Sequence, residues 1–372
     1  MLITKSDFLI YLDAPCHLWA FKRDLVPTQE RNAYLNHLSA QGYEVEKWAL
    51  KYLADCLVPE YGAMPEDVLI QQTVTTEHFE ARADILIRQH GSDLWDIYEI
   101  KSSTEVKKEH YYDVTFQTLV FEAQYKIGRV FVMHLNRDYI RNGDVDCKQL
   151  FHIEDVSTAI NKMKEEVRDL RADALYVAEQ DSCEKFTGCW KPKECPCPDI
   201  CHIDLPEYSI FDINNFTRSK KKVEQLLAAG VRNVHDVPPE FDLSDAQRLQ
   251  VTVAQSGNPV IDLKTIKAEL QALLYPLYFI DYETFNPAVP MYDRYGPFSH
   301  IPFQYSLHVQ REPNGNIEHY EFLHLDKTDP IPDFLRLLQE QLGSSGSILV
   351  WNKTFEGGRN KDMGGMYPEF SE

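Results

Sequence analysis

The chain has 372 residues, of which 44% are hydrophobic, and its 38 Lys and Arg residues are outnumbered by 58 Asp and Glu residues. The formal net charge of −20 excludes a broadly basic surface that would coat nucleic acid without specificity. An enzyme with an acidic metal site remains compatible with this charge. The length predicts two or three domains. No apolar stretch approaches a membrane span, and the N-terminal MLITKSDFLIYLDAP lacks a cationic leader with a cleavage site, so a cytoplasmic protein is expected.

Helices and strands alternate through the first part of the chain, up to about residue 205. Periodicity and turn signals predict a helix over 5–11, a helix over 28–57 that ends before Pro59, strands near 68–75, 78–88 and 94–101, a helix over 109–125, a strand over 128–136, a short strand over 148–156 and an amphipathic helix over 155–175. This order favours an α/β fold.

Two of these strands carry a group of charged side chains. Segment 78–87, HFEARADILI, mixes apolar and polar residues at period two and contains Asp84. Segment 94–101, LWDIYEIK, is apolar on both faces until Glu99 and Lys101, which are two apart and so share a face. A carboxylate and an ammonium on the buried side of a sheet are costly unless something binds them. With Asp84 they would form a cluster suited to a divalent cation and an attacking water, although a surface ion pair would show the same spacing.

The order Asp84, Glu99-Ile100-Lys101 and Gln117 resembles the PD-(D/E)xK nuclease superfamily, specifically its RecB-like branch. In that family a helix precedes the Asp, and a helix with the motif Q-x-x-x-Y follows the E-x-K strand. Here Phe121 stands in place of the Tyr. The resemblance implies an α/β core of the restriction-endonuclease type.

The resemblance also implies roles for individual residues. The implied ligands of Mg²⁺ or Mn²⁺ are Glu46, Asp84, Glu99 and the carbonyl of Ile100. Glu46 is included because many relatives carry a His four residues after a Gly in the preceding helix, and here Gly42 is followed by Glu46. Lys101 would orient or activate the attacking water and stabilise developing negative charge. Gln117 would position the substrate backbone or the water network.

Five of the eight cysteines lie within residues 183–201, in CEKFTGCWKPKECPCPDIC. Cytosolic cysteines at this density are better explained as metal ligands than as disulfides. The segment has no C-x2-C pair, which zinc ribbons usually show. Cys16, distant in sequence, is the other informative cysteine. Cys56 is expected to be a core residue and Cys147 a spare thiol.

One distal N-terminal cysteine and a C-terminal cysteine group that flank a nuclease core resemble the iron–sulfur nucleases, which include the AddB-type helicase-nucleases and a CRISPR spacer-processing nuclease. The resemblance implies a 4Fe–4S cluster, held by four thiolates, that staples the two ends of the nuclease domain together. The implied ligands are Cys16, Cys189, Cys195 and Cys201. Cys197 or Cys183 could replace one of them, and zinc is the alternative to the cluster.

Residues 206–270 are predicted to form a helical connector. Its segment SKKKVEQLLAAGVRNVHDVP shows a helix, a Gly turn and a short second element, and so resembles half of a helix-hairpin-helix, whose turn can present N–H groups to phosphate. The second Gly is lacking, and a plain helical connector is the alternative. The basic clusters Lys107-Lys108 and 218–222 could bind phosphates or form solvated helix faces.

A second α/β pattern begins after the connector, with strands predicted over 277–285, 301–310, 317–325 and 348–352 and a helix near 331–342. The first strand contains Asp281 and Glu283, two carboxylates on one face, and the last leads into Asn352-x-x-Phe355-Glu356. These motifs resemble the RNase H-like DEDD exonucleases of the DnaQ type, with Glu356 in place of Asp. Their two-metal chemistry needs four carboxylates. The fourth is expected beyond Glu372, so the chain is expected to end inside this domain.

The whole chain resembles an uncharacterised bacterial family that joins these two modules, most strongly in YPLYFIDYETF, IPFQYSLHV and KPKECP. The predicted domains are a RecB-like nuclease domain closed by a cysteine cluster over 1–205, a helical connector over 206–270 and a partial, incomplete RNase H-like domain over 271–372. The resemblance implies a metal-dependent DNA nuclease that hydrolyses phosphodiester bonds. Single-stranded or frayed ends are the expected substrate, because an acidic protein grips long duplex poorly. The alternative is a non-catalytic nucleic-acid-binding or scaffolding protein with vestigial nuclease folds.

Overall fold

Two mixed β-sheets with packed helices form the framework of the protein, which is an α/β protein as predicted. The computed structural model describes residues 1–27, 33–184, 186 and 189–370. The strands of the first sheet are β1 (Ile3–Thr4), β2 (Val68–Thr75), β3 (Phe79–Arg88), β4 (Leu94–Lys101), β5 (Lys126–Leu135) and β6 (Phe151–Asp155). Their order is β1-β3-β4-β5-β6, and β2 pairs with β3 outside this path.

The helices around the first sheet include the four that were predicted, whereas a short helix over 147–150 replaces the start of the strand predicted over 148–156. They are α1 (Lys5–Asp13), α2 (Pro15–Phe21), α3 (Ala33–Tyr52), α4 (Val58–Tyr61), α5 (Lys108–Phe121), α6 (Cys147–Leu150) and α7 (Ser157–Glu179). A π-helical turn, Leu53–Leu57, joins α3 to α4, so the helical segment continues past the predicted end. Pro59 is tolerated because it lies in the first turn of α4, where a missing N–H is least costly. The start predicted at 28–32 lies outside the described residues.

Two hydrophobic cores cover the two faces of the first sheet. Phe8 of α1, Phe116 of α5 and Val167 of α7 belong to the core on one face. Val45 and Ala49 of α3 belong to the core on the other. The sheet therefore lies between α3 on one side and α1, α5 and α7 on the other, and this arrangement decides which charged side chains can meet.

Side-chain alternation in β2 and β3 reverses near Asp84. Ala83 packs into the core beneath α5, whereas Ile85, two residues later, packs into the core beneath α3. Successive odd residues of a regular strand share a face. The irregularity coincides with Gln71 of β2, which has a φ of 53° and lies between the pairs Ile70–Ile85 and Gln72–Ala83. The two strands are thus distorted at the point where Asp84 projects.

The middle of the chain contains α8 (Pro198–Cys201), α9 (Lys220–Ala228), α10 (Asp245–Ser256) and α11 (Leu263–Ala272). A small core that includes Phe216, Val223 and Val251 holds α9 and α10 together. After α9, Gly230 adopts a φ of 76° and a short 3₁₀ turn follows at Val234–Asp236. The segment therefore has the helix, Gly turn and short second element that its sequence predicts.

The second sheet consists of β7 (Leu277–Phe285), β8 (Ile301–Gln310), β9 (Ile317–Leu323) and β10 (Ser347–Leu349) in the order β10-β7-β8-β9. β10 runs parallel to β7, and the other pairs are antiparallel. The helices α12 (Ile331–Gln341) and α13 (Lys353–Met366) contribute Phe334 and Met363 to its core. The predicted strands and the predicted helix of this region are all present.

A loop at residues 286–298, between β7 and β8, packs against the first sheet's helices. Its Ala288 and Val289 are buried in the same core as Val45 of α3. The Ala288 N–H donates to Oε1 of Gln41, also in α3, at 2.8 Å. Within the described residues, no helix has the length and apolar character needed to cross a membrane.

Candidate active site and cysteine centre

The edge of β3 that carries Asp84 is left open by the neighbouring strands. β1 pairs with β3 only at Phe79 and Glu80, and β4 pairs with it only from Ile85 onward. Asp84 therefore lies in a gap between the end of β1 and the end of β4. The last residues of β4, which include Glu99, face the same gap.

Within the described part of the chain, the Asp84 carboxylate has two hydrogen-bond donors and no positively charged side chain in direct contact. Its Oδ2 accepts from the backbone N–H of Ile100 at 2.8 Å, and its Oδ1 accepts from Nε2 of Gln71 at 3.1 Å. Burial and the nearby Glu99 carboxylate raise the pKa of Asp84 to about 6. A pKa raised in this way marks a carboxylate whose charge a bound cation would stabilise.

Glu99 is buried, with 2% of its surface exposed, and both of its oxygens are occupied. Oε1 accepts from Nζ of Lys5 at 2.7 Å and from Nζ of Lys101 at 2.9 Å. Oε2 accepts from Nε2 of Gln117 at 2.8 Å. Burial acts to raise the pKa of Glu99, but the two ammonium groups outweigh it and lower the pKa to about 2. Glu99 is therefore an ionised and fully neutralised carboxylate.

Asp113 is a second buried carboxylate that holds the two lysines. Its Oδ2 accepts a short hydrogen bond from Nζ of Lys101, and its Oδ1 lies 3.5 Å from Nζ of Lys5. Burial acts to lower the pKa of Lys101, but Glu99 and Asp113 outweigh it and raise the pKa above its usual value. The lysine of the E-x-K motif is thus kept charged in a buried position.

Glu46 of α3 approaches the same site from the opposite face of the sheet. Nε2 of Gln71 donates to Oε1 of Glu46 at 2.8 Å as well as to Asp84, so one amide bridges the two carboxylates. The left-handed backbone of Gln71 reverses the alternation of β2 at this point. Two acidic side chains are therefore held close together without a positive charge between them.

A cavity of about 320 Å³ opens beside Asp84. The first residues of α1, Lys5 and Ser6, line one side of it, and Arg82 and Asp84 of β3 line the other. Through this cavity Lys5 and Asp84 are accessible to solvent and to a ligand.

All residues predicted for the first site lie together: Glu46, Asp84, Glu99, Ile100, Lys101 and Gln117. Lys5 and Asp113 complete the cluster, and neither was predicted from the sequence. Asp113 could have been found, because it precedes Gln117 by four residues and so shares its face of α5. Lys5 gave no signal, since it lies 94 residues before its partner Glu99.

The cysteines of segment 183–201 gather around Cys16 of α2. The Cys201 thiol lies within hydrogen-bonding range of Cys16, Cys189 and Cys197, and Cys195 lies within range of Cys189. Hydrogen bonds from Cys16 and Cys189 lower the pKa of Cys201 far below its usual value. The four predicted ligands thus lie near one another, and Cys201 is the one whose environment favours a thiolate, the form that binds metals. The pKa values of the Cys16, Cys189 and Cys195 thiols are raised above their usual value.

Two histidines join the cysteine centre. Nε2 of His17 lies 3.4 Å from Sγ of Cys195, and Nε2 of His202 lies 3.1 Å from Sγ of Cys189. Two groups could each hold a metal ion with ligand atoms within 4.8 Å of one another: His17, Cys195, Cys197 and Cys201, and Cys189, Cys195 and His202. Neither histidine was predicted as a ligand, although each directly follows a predicted cysteine ligand.

The carboxylates predicted for the second sheet are placed differently from one another. Asp281 and Glu283 are exposed on one face of β7. Tyr282 points to the buried face, where its hydroxyl donates to Oδ1 of Asn360 at 3.0 Å. Glu356 is buried in the same helix as Asn360 and acts electrostatically on Tyr282. Glu356 therefore lies on the buried face of β7, whereas Asp281 and Glu283 lie on the exposed face.

Comparison with known proteins gives one family match. Residues 278–372 match a domain of unknown function (DUF2779). No curated protein matches the chain. Among solved structures, the crystal structure of SSO0001 is 14% identical, with a TM-score of 0.29, over 55% of this chain and 87% of that one. An alkaline exonuclease (LHK-Exo) from Laribacter hongkongensis is 14% identical, with a TM-score of 0.30, over 48% of this chain and 90% of that one.

Proposed function

We propose that the protein is a metal-dependent nuclease that hydrolyses phosphodiester bonds, with DNA as the substrate. The observation that carries the proposal is the convergence of Asp84, Glu99 and Lys101 in the gap at the edge of β3. A purely structural ion pair between Glu99 and Lys101 would not require a further carboxylate, Asp84, beside it. The open cavity beside Asp84 provides room for a phosphodiester.

The residues present fit a hard divalent cation. Asp84 and Glu46 offer carboxylate oxygens that no ammonium group of the described residues contacts, and the carbonyl of Ile100 is a further candidate ligand. Bound Mg²⁺ or Mn²⁺ would supply a water of lowered pKa and would stabilise negative charge on the phosphate. Glu99, which the family resemblance implies as a direct ligand, would act chiefly by fixing Lys101.

Lys101 and Gln117 have separate roles in this proposal. Lys101, held by Glu99 and Asp113, presents a fixed positive charge to the negative charge that develops on the phosphate. Gln117 donates to Oε2 of Glu99 and to the carbonyl of Arg82, so it ties α5 to β3 and β4. Its Oε1 is buried and has no hydrogen-bond partner in the described residues.

Single-stranded or frayed ends are the proposed substrate. The net charge of −20 opposes a long electrostatic contact with duplex DNA. At the cavity itself, Lys5 and Arg82 offer positive charge over a short distance, beside the carboxylates Glu80 and Asp84. Two positive side chains over so short a distance suit one strand better than two.

The cysteine centre is proposed to hold a 4Fe–4S cluster, with zinc as the alternative. Cys16, Cys189, Cys195 and Cys201 are the proposed thiolate ligands of the cluster. Such a centre joins α2 to a segment about 170 residues further along the chain and so closes the first domain. A cytoplasmic location agrees with this proposal, because reducing conditions keep thiols available for metal.

The second sheet favours the other candidate function, a non-catalytic role, for the C-terminal region. Asp281 and Glu283 are exposed on one face, and buried Glu356 lies with Tyr282 of the other face. Two-metal chemistry requires carboxylates that converge on cations about 4 Å apart. We therefore assign nuclease activity to the first site alone.

End-labelled single and double strands, incubated with and without Mn²⁺, test the proposal. Wild-type protein should cleave single strands, and Lys101→Met should reduce the rate by about 10²–10³-fold, as loss of one electrostatic donor typically does. Lys164→Met is a matched control, because the Lys164 side chain is 20% exposed against 19% for Lys101 and also forms an ion pair, with Glu122. Equal rates in the two variants, with both folded, would show that Lys101 takes no part in cleavage.

A further inference from the structure

Lys5 enters the candidate site from an element that carries no recognised motif. β1 runs parallel to β3 at Thr4 and Glu80, so the next residue, Lys5, extends into the open gap. There its Nζ lies 2.7 Å from Oε1 of Glu99 and 3.5 Å from Oδ1 of Asp113. Lys5 therefore contacts the same two carboxylates as Lys101.

The charges of the cluster are unevenly distributed. Four carboxylates (Glu46, Asp84, Glu99 and Asp113) face two ammonium groups (Lys5 and Lys101). Both ammonium groups contact Glu99 and Asp113, whereas Glu46 and Asp84 are joined only by the neutral amide of Gln71. The two positive charges thus neutralise one half of the cluster and leave two negative charges in the other.

This imbalance corresponds to the charge of one divalent cation. Sites that bind two cations about 4 Å apart need carboxylates free to coordinate both. Here Glu99 Oε1 receives both ammonium groups, whereas Oε2 accepts only from the neutral amide of Gln117. Among the described carboxylates of the cluster, Glu46 and Asp84 are the two that no ammonium group contacts.

We infer that the site takes a single divalent cation, beside Asp84 and Glu46, and that the ammonium group of Lys5 supplies the positive charge where a second cation would otherwise bind. The inference rests on the proposed nuclease function and deepens it. Lys5 lines the same cavity as Asp84, so its charge also faces the space open to a phosphate. The ammonium group of Lys5 is part of the chain, so its presence does not depend on the Mn²⁺ concentration. The activity should therefore depend on Mn²⁺ concentration as a simple one-site saturation.

Calorimetric titration with Mn²⁺, without nucleic acid, is the direct test. Wild-type protein whose cysteine centre already carries its metal should bind one Mn²⁺ ion per chain. Lys5→Met should bind a second ion or bind the first at least tenfold more tightly, because it leaves Glu99 and Asp113 with one ammonium instead of two. Lys5→Arg should keep the wild-type stoichiometry.

Lys22→Met is the matched control. The Lys22 side chain is 20% exposed against 21% for Lys5, and it pairs with Asp7 at 2.6 Å, outside the cluster. Mn²⁺ binding by this variant should equal that of the wild type. If Lys5→Met fails to fold, Lys5→Arg and the wild-type stoichiometry still decide the question.

Three outcomes would overturn the inference, and they are distinguishable from failure of the nuclease proposal. The first is that the wild type binds two Mn²⁺ ions, the second that folded Lys5→Met binds Mn²⁺ as the wild type does, and the third that Lys5→Arg binds a second ion. Each would reject a role for Lys5 in place of a cation while leaving metal-dependent cleavage intact. Absence of both Mn²⁺ binding and cleavage in the wild type would reject the proposed function together with the inference.

Discussion

Gln71 donates to Asp84 at 3.1 Å and to Glu46 at 2.8 Å, so a single amide connects the central sheet to α3 at the candidate site. Gln71 can do so because its positive φ interrupts the regular alternation of β2. The neutral amide fixes the two carboxylates close together without neutralising either of them. This geometry leads to the first prediction, on Glu46.

Glu46→Gln should weaken Mn²⁺ binding by about tenfold or more, equivalent to about 1.4 kcal/mol, because it removes one of two un-neutralised carboxylates. Glu44→Gln is the control, since Glu44 lies on the same helix but its carboxylate accepts from Trp48 on the exposed side. Calorimetric titration of both variants measures the difference. Similar affinities for the two would place the cation away from α3.

Asp113→Asn should slow cleavage by more than about tenfold and lower the free energy of unfolding by about 1–3 kcal/mol, because it leaves the buried Lys101 and Lys5 with Glu99 as their only anionic partner. Single-turnover rates well below the unfolding temperature separate the two effects. Asp93→Asn, which removes the exposed partner of Lys126, should change neither quantity measurably. A stability loss without any change in rate would make Asp113 purely structural.

Anaerobically purified protein should be brown and should contain iron and acid-labile sulfide. Cys16→Ser should lose the colour and lower the melting temperature, because Cys16 is the ligand that α2 contributes to the centre. Cys56→Ser should keep both properties, since Cys56 lies in the π-helical turn after α3. A colourless wild-type protein that contains zinc would instead favour the ligand groups that include His17 or His202.

Asp281→Ala should leave nuclease activity at the wild-type level, because the exposed Asp281 and the buried Glu356 lie with different faces of β7. Asp84→Ala, assayed in parallel on the same end-labelled strands, should abolish cleavage. Measurable loss of activity in the Asp281 variant would show that the second sheet contributes a working site.

Much of the fold could be predicted from the sequence, because its strands and helices are long and periodic. The strands 68–75 and 94–101 and the strand that begins at Leu277 have their predicted bounds. The π-helical turn before Pro59 was not predicted, since a five-residue turn leaves no periodicity of its own. Local patterns also gave no indication of the distortion at Gln71, where a side chain other than glycine has a positive φ.

The candidate site could be predicted as far as its motifs extend along the chain. Asp84, Glu99 and Lys101 lie on adjacent strands and share a recognisable spacing. Lys5 depends on β1 pairing with the far end of β3, a contact between residues about 76 positions apart that no local pattern specifies. The exposed position of Asp281 relative to Glu356 likewise depends on how α13 crosses the sheet, which a motif spacing does not contain.

The loop at 286–298 joins the two sheets by noncovalent contacts, in addition to the polypeptide that runs between them. Its Ala288 and Val289 are buried beside Val45, and the Tyr295 carbonyl accepts from the N–H of Arg141 at 3.0 Å. Residues 257–262, by contrast, are exposed. A protease that cuts only there should produce two fragments that still elute together from a sizing column in native buffer and separate only when denaturant is added.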